Sequence, residues 1–125
     1  MKVLDASALL AFLFREPGHE MVAGEIASAC ISTVDLAESL GRIARDGHDP
    51  RPLLTGVSES TLEIVPFSPD QALLCARLMA QARSLGLSLG DRACLALAME
   101  RGLAAMTADA VWAALDAGVE IVLIR

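Results

Sequence analysis

Short apolar runs alternate with longer helix-forming segments along the whole chain. This alternation is typical of α/β proteins, in which helices join parallel strands and cover both faces of the sheet. The apolar runs predict five short strands, one before Asp5 and the others at residues 29–32, 62–67, 103–106 and 120–124. The segments between them predict a helix at residues 6–14 and, after a turn at Pro17 and Gly18, a second helix to about residue 28. Further helices are predicted at residues 34–45, 53–58, 69–84, 91–101 and 110–117. All 125 residues, 1–125, fit a single α/β domain.

Capping residues define several of these helix boundaries. Ser68, Pro69 and Gln71 together predict an N-terminal capping box, with proline at the first helical position. Gly86 predicts the end of the same helix, which is therefore expected to run without interruption. Asp91 is predicted to open the next helix.

The first predicted strand ends in a carboxylate, Asp5. In open α/β sheets, ligands bind beyond the carboxyl ends of the strands, where loops and helix N-termini converge. Glu38 lies in the helix after the second strand, Asp91 at a helix start, and Asp109 in the turn after the fourth strand. We expect these four carboxylates to lie at one edge of the sheet.

A cluster of four carboxylates has a defined chemistry. Two unpaired carboxylates about 4 Å apart repel by roughly 4 kcal/mol at an effective dielectric constant of 20, so a cation stabilises the cluster. Oxygen ligands select Mg²⁺ or Mn²⁺, one or two per site, and Ser7 and Thr107 add hydroxyl groups at the same edge. Such a site supports metal-assisted hydrolysis of a phosphodiester.

Each carboxylate also has an ordinary structural explanation, which the sequence leaves open. Asp5 is able to cap the helix that follows it. Glu38 and Arg42 are spaced for an ion pair on one helix face. Asp91 and Asp109 stand at helix starts, where the helix dipole favours an acidic residue.

Composition restricts the cellular setting. Hydrophobic residues make up 54% of the chain, yet the longest apolar run, residues 8–14, is well short of the roughly 20 needed to span a bilayer. The N-terminus has neither a long apolar segment nor a small-residue cleavage site, so we expect a cytoplasmic protein with no membrane partner. The helices carry more apolar surface than one small core absorbs, which favours a homodimer or another bound protein.

The soft metal ligands form no zinc motif. Three cysteines are widely spaced in apolar or alanine-rich sequence, and neither they nor the two histidines show zinc-ligand spacing. We therefore expect Cys30, Cys75 and Cys94 to be small core residues. Trp112 is expected to pack the last helix onto the sheet rather than to stack on a base.

The net charge of −6 by itself disfavours a nucleic-acid partner, since phosphates are attracted to basic surfaces. Two divalent cations held by the four carboxylates would offset four of these negative charges. The nine arginines would remain available to an anionic substrate. The charge thus weakens an assignment to RNA or DNA without excluding it.

Four motifs in order resemble the PIN-domain family, and within it the VapC-type toxins of bacterial toxin–antitoxin pairs. The resemblance covers the whole chain, and its third motif is the most specific. The motifs are Leu-Asp-Ala-Ser-Ala at residues 4–8, Ser-Thr-Val-Asp-Leu-Ala-Glu at 32–38, Leu-Ser-Leu-Gly-Asp-Arg-Ala-Cys-Leu-Ala-Leu-Ala at 87–98, and Thr-Ala-Asp-Ala-Val-Trp at 107–112.

This resemblance implies a three-layer α/β/α sandwich with a mostly parallel sheet ordered 3-2-1-4-5, and Mg²⁺- or Mn²⁺-dependent cleavage of RNA. By matching position it assigns the catalytic carboxylates, of which the aspartates are the metal ligands, and the neighbouring hydroxyls of Ser7 and Thr107. It further implies a homodimer silenced by a VapB-type antitoxin that wraps the apolar helices and inserts an arginine into the acidic pocket. The catalytic carboxylates so assigned are Asp5, Glu38, Asp91 and Asp109.

The arginines that would contact RNA are less defined. Arg42 and Arg45 share a helix face with Glu38, while Arg15 follows the first helix. Arg92 neighbours Asp91 and is a candidate either for a phosphate contact or for a tie that holds the site together. For each of the four, a solvated salt bridge is the competing explanation.

Two other functions compete with a ribonuclease. A phosphatase that uses Asp5 as nucleophile would place a second aspartate two residues later, where this chain has Ser7. A catalytically silent binding or assembly module would keep the carboxylates as a metal-stabilised structural site. In that module, metal would raise thermal stability without RNA cleavage.

Overall fold

The computed structural model describes residues 1–125 and contains one sheet of five parallel strands in the order β3-β2-β1-β4-β5. The predicted α/β class, the parallel sheet and its order are therefore confirmed. Pairing is in register through the centre of the sheet, with Val3 opposite both Cys30 and Ala105. The strands are β1 (Lys2–Leu4), β2 (Cys30–Ser32), β3 (Glu63–Val65), β4 (Ala104–Thr107) and β5 (Ile121–Leu123).

Seven α-helices and two short 3-10 helices connect the strands. None of these helices combines the length and the hydropathy that crossing a membrane requires. The α-helices are α1 (Ala6–Phe14), α2 (His19–Ala23), α3 (Thr33–Arg45), α4 (Arg51–Glu59), α5 (Pro69–Arg77), α6 (Met79–Leu85) and α7 (Leu89–Arg101). The 3-10 helices are Ile26–Ser28 and Ala110–Ala114.

The core consists of two apolar layers, one on each face of the sheet. Successive strand residues point to opposite faces, so Val3 and Leu4 belong to different layers. One layer packs the sheet against α1 to α4, and the other packs it against α6 and α7, while α5 packs on α7 through a smaller cluster of Cys75, Ala93 and Ala96. Trp112 and the three cysteines are buried, as expected.

Several helices differ from the sequence prediction, and the smallest differences are α3, which begins at Thr33 instead of residue 34, and α4, which spans Arg51–Glu59 instead of 53–58. The helix expected over residues 69–84 is interrupted at Leu78, and the segment predicted to be helical up to residue 28 contains α2 followed by a 3-10 turn. The last helix is a 3-10 helix of five residues. Helix α7 begins at Leu89 rather than at Asp91, because Ser88 provides the N-cap and Asp91 occupies the third helical position.

The capping box predicted at the start of α5 is only half formed. The Ser68 hydroxyl accepts a hydrogen bond from the Gln71 backbone, as a cap requires. The Gln71 side chain does not return to the cap, because it is buried and donates instead to Glu100 on α7. Tertiary packing has thus overridden a local signal.

The C-terminus is joined to the turn that follows α1. Gly18 has φ = +94°, and a Cβ atom there would overlap the backbone of Ile124, so this close approach requires glycine. Arg125 Nη1 donates to the carbonyl oxygen of Pro17 at 3.0 Å. This contact brings Arg125 to the edge of the sheet where β1, β2 and β4 end.

Candidate active site

A polar pocket of about 270 Å³ lies at the carboxyl edge of the sheet and contains all four predicted carboxylates. They come from four separate parts of the chain, because parallel strands bring their following segments to the same edge. The pocket is lined by Asp5, Ala6, Ser7, Leu10, Glu16, Glu38, Arg42, Asp91, Asp109 and Arg125.

Asp5 forms the floor of this pocket and is held by three neighbours. Its Oδ1 accepts the Ala8 backbone N–H at 2.8 Å, which makes Asp5 the N-cap of α1. The Thr107 hydroxyl donates to Oδ2 at 2.6 Å, and the Ser7 hydroxyl lies 2.7 and 2.9 Å from the two oxygens. Because one Ser7 proton is shared between both oxygens, Asp5 keeps acceptor capacity for a further ligand.

The two predicted hydroxyl groups also join the loops after β1 and β4. Ser7 Oγ accepts the Ala108 backbone N–H at 2.9 Å, and Thr107 Oγ1 accepts that of Asp109 at 3.0 Å. Each hydroxyl therefore relays a backbone dipole to Asp5 and fixes the start of the segment that carries Asp109. The role of Ser7 and Thr107 in this structure is to orient Asp5.

Burial raises the pKa of Asp5 to about 6, and the charge of Asp91 acts in the same direction. Hydrogen bonds from Thr107, Ser7 and Ala8 oppose the shift but do not cancel it. Burial likewise raises the pKa of Asp91, with a smaller contribution from the charge of Asp109. These carboxylates are thus destabilised as anions by one another and by loss of water.

Glu38 extends from α3 to the N-terminus of α7. Its Oε1 accepts the Gly90 backbone N–H at 3.2 Å and the Ser88 hydroxyl at 3.3 Å. The alternative ion pair with Arg42 does not form, because Arg42 donates to Asp46 at 3.3 Å. Only Oε1 of Glu38 is engaged, so its second oxygen is available in the pocket.

Asp91 and Asp109 both serve as helix caps within the pocket. Asp91 Oδ2 accepts the Ser88 N–H at 2.8 Å while its own N–H donates to Ser88 Oγ, which completes a capping box. Asp109 Oδ1 accepts the Val111 N–H at 3.0 Å. Asp5 caps its helix as foreseen, and Asp91 and Asp109, which were predicted only to stand at helix starts, also accept backbone N–H groups there. Each of these contacts uses only part of the carboxylate's acceptor capacity.

The donor set fits a hard divalent cation, since it consists of carboxylate oxygens with adjacent hydroxyls. No group of three or more His, Cys, Asp or Glu side chains is arranged so that it could hold a metal ion as it stands. Coordination by several of the carboxylates therefore requires side-chain rotation. Glu38 and Asp109 are exposed at the rim, where such rotation is least hindered.

The four arginines noted in the sequence occupy different surroundings. Arg42 lines the pocket, whereas Arg45 is exposed and lies 3.7 Å from Asp46. Arg15 borders a different surface depression near α2. Arg92 donates to the Cys75 carbonyl at 3.4 Å and contacts the sulfur of Met79, so it ties α7 to α5 and α6.

Sequence reasoning missed three other residues near the pocket. Glu16 and Arg125 line it because of the contact between the turn after α1 and the C-terminus. Asp35 is fully buried on α3, and the burial of its carboxyl, followed by the charges of Asp5, Glu38 and Asp91, raises its pKa well above the ordinary value. The sequence signal for Asp35 was its spacing of three residues from Glu38, because residues three apart lie on the same face of a helix and Asp35 is therefore expected near the same site.

Comparison with known proteins gives one family. A family model described as the PIN domain matches residues 2–118. None of the curated protein sequences matches the chain.

Solved structures agree with this chain over almost its whole length. A toxin–antitoxin complex from Klebsiella pneumoniae contains a chain with TM-score 0.73 and 19% identity, covering 100% of this chain and 98% of that one. VapC20 of Mycobacterium tuberculosis, a toxin that cleaves the sarcin–ricin loop, has TM-score 0.72 and 15% identity, with 96% and 99% covered. VapBC-5 of the same organism, a member of the VapBC family, has TM-score 0.61 and 25% identity, with 99% and 97% covered. These likenesses show a common fold.

The raised pKa of Asp5 predicts how stability depends on pH in EDTA. Between its unfolded value of 3.8 and about 6, the folded chain binds more protons than the unfolded chain, so the free energy of unfolding falls as pH rises. From pH 5 to pH 7, Asp5 alone should remove roughly 1 kcal/mol, measurable by urea denaturation.

Asp5→Asn should flatten this dependence, whereas Glu59→Gln, which alters an exposed carboxylate outside the pocket, should leave it unchanged. A wild-type protein whose stability rises steadily from pH 5 to pH 7 would contradict the assigned direction of the shift.

Proposed function

Because the chain belongs to the PIN-domain family, we propose that it is a metal-dependent endoribonuclease, the VapC-type toxin of a toxin–antitoxin pair acting on RNA in the cytoplasm. The supporting observation is the single pocket that contains Asp5, Glu38, Asp91 and Asp109 at the carboxyl edge of the sheet. Four carboxylates in one small pocket are costly for stability alone, and a divalent cation offsets that cost.

Asp5, Asp91 and Asp109 are the proposed ligands of one or two Mg²⁺ or Mn²⁺ ions. When bound, the ion supplies Lewis acidity, which activates water and stabilises the leaving oxygen of a phosphodiester. Ser7 and Thr107 keep the Asp5 carboxylate in one orientation through the hydrogen bonds described above. This preorganisation reduces the rearrangement needed when a ligand binds.

Glu38 is the proposed general base. One of its oxygens is anchored to the N-terminus of α7 by Gly90 and Ser88, while the other is free in the pocket. A carboxylate held in this way is able to orient the attacking water and to accept its proton.

Arg42 and Arg125 are the proposed contacts to the RNA backbone, because both line the acidic pocket. The partner of Arg42 is an exposed aspartate, Asp46, and an exposed pair of this kind contributes little to stability. Arg42 is therefore able to exchange Asp46 for a phosphate at small cost. Arg15 and Arg45 lie outside the pocket lining and are weaker candidates.

The proposed antitoxin site is an apolar groove of about 270 Å³ between α1 and α4. Leu13, at 38% exposure, and Phe12 contribute to it from α1, and Leu53 contributes from α4. An amphipathic helix is the partner that such a groove accepts. Other exposed apolar side chains on α5, α6 and α7, including Leu73 and Met79, support a homodimer.

Cleavage of total RNA by the purified protein tests the proposed activity. Discrete products are expected in Mg²⁺ or Mn²⁺ and none in EDTA. Asp91→Asn should reduce the rate at least about 100-fold while preserving the fold, because asparagine still accepts the Ser88 N–H. Asp70→Asn is the matched control, since Asp70 also lies in the first turn of a helix but outside the pocket.

Cleavage that persists in EDTA or in Asp91→Asn would contradict this mechanism. Stabilisation by metal without any RNA cleavage would instead favour the catalytically silent binding module.

Gly90→Ala tests the position of Glu38. A Cβ atom at residue 90 would overlap the Glu38 carboxylate, and this flexible side chain would move rather than the backbone. We expect normal stability with a 10- to 100-fold lower rate of RNA cleavage, because the base is displaced. Gly41→Ala on α3, where a Cβ meets open space, should leave the rate of RNA cleavage unchanged and raise the free energy of unfolding by up to about 1 kcal/mol, because alanine favours the helix. Full activity in Gly90→Ala would argue against Glu38 as the base.

Leu13→Glu tests the groove. We expect binding of the antitoxin to weaken at least tenfold by isothermal titration calorimetry, with RNA cleavage unchanged, because a charge is introduced into an apolar contact. Met21→Glu is the matched control, as Met21 is also exposed but lies on α2 outside the groove. Equal loss of binding in both variants would place the antitoxin elsewhere.

A further inference from the structure

Asp35 is a buried carboxylate on α3 whose charge interacts with those of Asp5, Glu38 and Asp91 in the acidic pocket. Its residue exposure is 0%, and neither of its side-chain oxygens makes a hydrogen bond of ordinary length and angle. It precedes Glu38 by one turn of α3 but does not itself line the pocket. Leaving an ionisable group buried in this way is unfavourable for the folded state.

The groups around Asp35 connect it to the carboxylates of the acidic pocket. The negative charges of Asp5, Glu38 and Asp91 raise its pKa, and the Ala6 backbone N–H at the start of α1 acts in the opposite direction. Its remaining neighbours include Cys94 of α7, which is buried and offers only a weak thiol donor. Asp35 therefore lies between α3, α7 and the N-terminus of α1, facing the carboxylates of the pocket.

Asp35 lies in the first turn of α3, where the helix dipole favours an acidic residue, but this does not account for complete burial of its carboxyl group. Neither oxygen makes a hydrogen bond of ordinary geometry, and burial together with three neighbouring carboxylates opposes ionisation more strongly than the Ala6 backbone N–H favours it. An asparagine or an apolar residue of similar volume would be less costly at the same position. A cation in the adjacent pocket is the species that would turn this repulsion into attraction.

We propose that Asp35 is a fifth carboxylate of the cation site. Asp35 does not line the pocket, but its negative charge strengthens the binding of a divalent cation there. This assignment rests on the proposed function, because it requires a cation among Asp5, Asp91 and Asp109. Asp35 is a positioning residue, since it does not reach the pocket surface. Its effect is thus expected on cation affinity before any effect on RNA binding.

The test is a titration of the protein with Mn²⁺, in which binding is measured by calorimetry and by the electron paramagnetic resonance signal of free Mn²⁺. Asp35→Asn should bind Mn²⁺ about tenfold more weakly than the wild type. Its melting temperature in EDTA should be equal or higher, because an unfavourably buried ionisable group has been replaced by a neutral amide, while the rise on adding Mn²⁺ should be smaller. Glu59→Gln, which removes an exposed charge outside the pocket, should behave as the wild type.

Unchanged Mn²⁺ affinity in Asp35→Asn would overturn the assignment, and so would a loss of stability in EDTA without a loss of affinity. If Asp35→Asn does not fold, Asp35→Ser is to be measured in the same way and read by the same criteria. Absence of Mn²⁺ binding by the wild type would overturn both this assignment and the metal-dependent nuclease. Weakened Mn²⁺ binding in the variant, together with no RNA cleavage by the wild type, would support Asp35 and contradict the nuclease alone.

Discussion

The repulsion among carboxylates at one edge of a parallel sheet is the constraint on which this structure depends. Parallel pairing of β1 with β2 and β4 forces the segments after all three strands to the same edge. Asp5, Glu38 and Asp109 follow these strands, and α7 adds Asp91. The fold thus concentrates negative charge in one pocket of about 270 Å³, where burial raises the pKa values of Asp5 and Asp91.

The local structure limits this repulsion by binding each carboxylate to backbone or hydroxyl donors. Asp5 caps α1, Asp91 completes the capping box of α7, and Asp109 caps the 3-10 helix that follows β4. The same contacts fix the direction of each side chain. Capping and the proposed cation binding are therefore two uses of the same carboxylates, and the pKa of Asp5, raised to about 6, indicates that capping leaves part of the cost in place.

The order of strands and helices along the sequence predicted the fold well. Strand and helix alternation indicated a parallel sheet, and its carboxyl edge located the four carboxylates in one pocket. Local signals failed where tertiary contacts competed with them, as for Gln71, whose side chain pairs with Glu100 instead of closing a capping box.

Residues brought in by long-range contacts could not be predicted. Arg125 and Glu16 line the pocket because the C-terminus packs against the turn at Gly18, a contact that no local pattern encodes. The function of Arg92 as a tie between helices likewise depends on the position of Met79 across the α5–α6 break. Asp35 was visible in the sequence, but its burial without a partner is a property of the packed structure.

The central claim is that the carboxylates of the pocket bind a divalent cation. Anomalous diffraction from crystals soaked in Mn²⁺ tests it most directly, because the signal identifies the metal independently of activity. We expect a peak in the pocket within coordination distance of Asp5 and of at least one of Asp91 and Asp109, and no such peak in Asp91→Asn crystals soaked identically. A fully ordered pocket without a peak, or a peak only at surface carboxylates, would contradict the account.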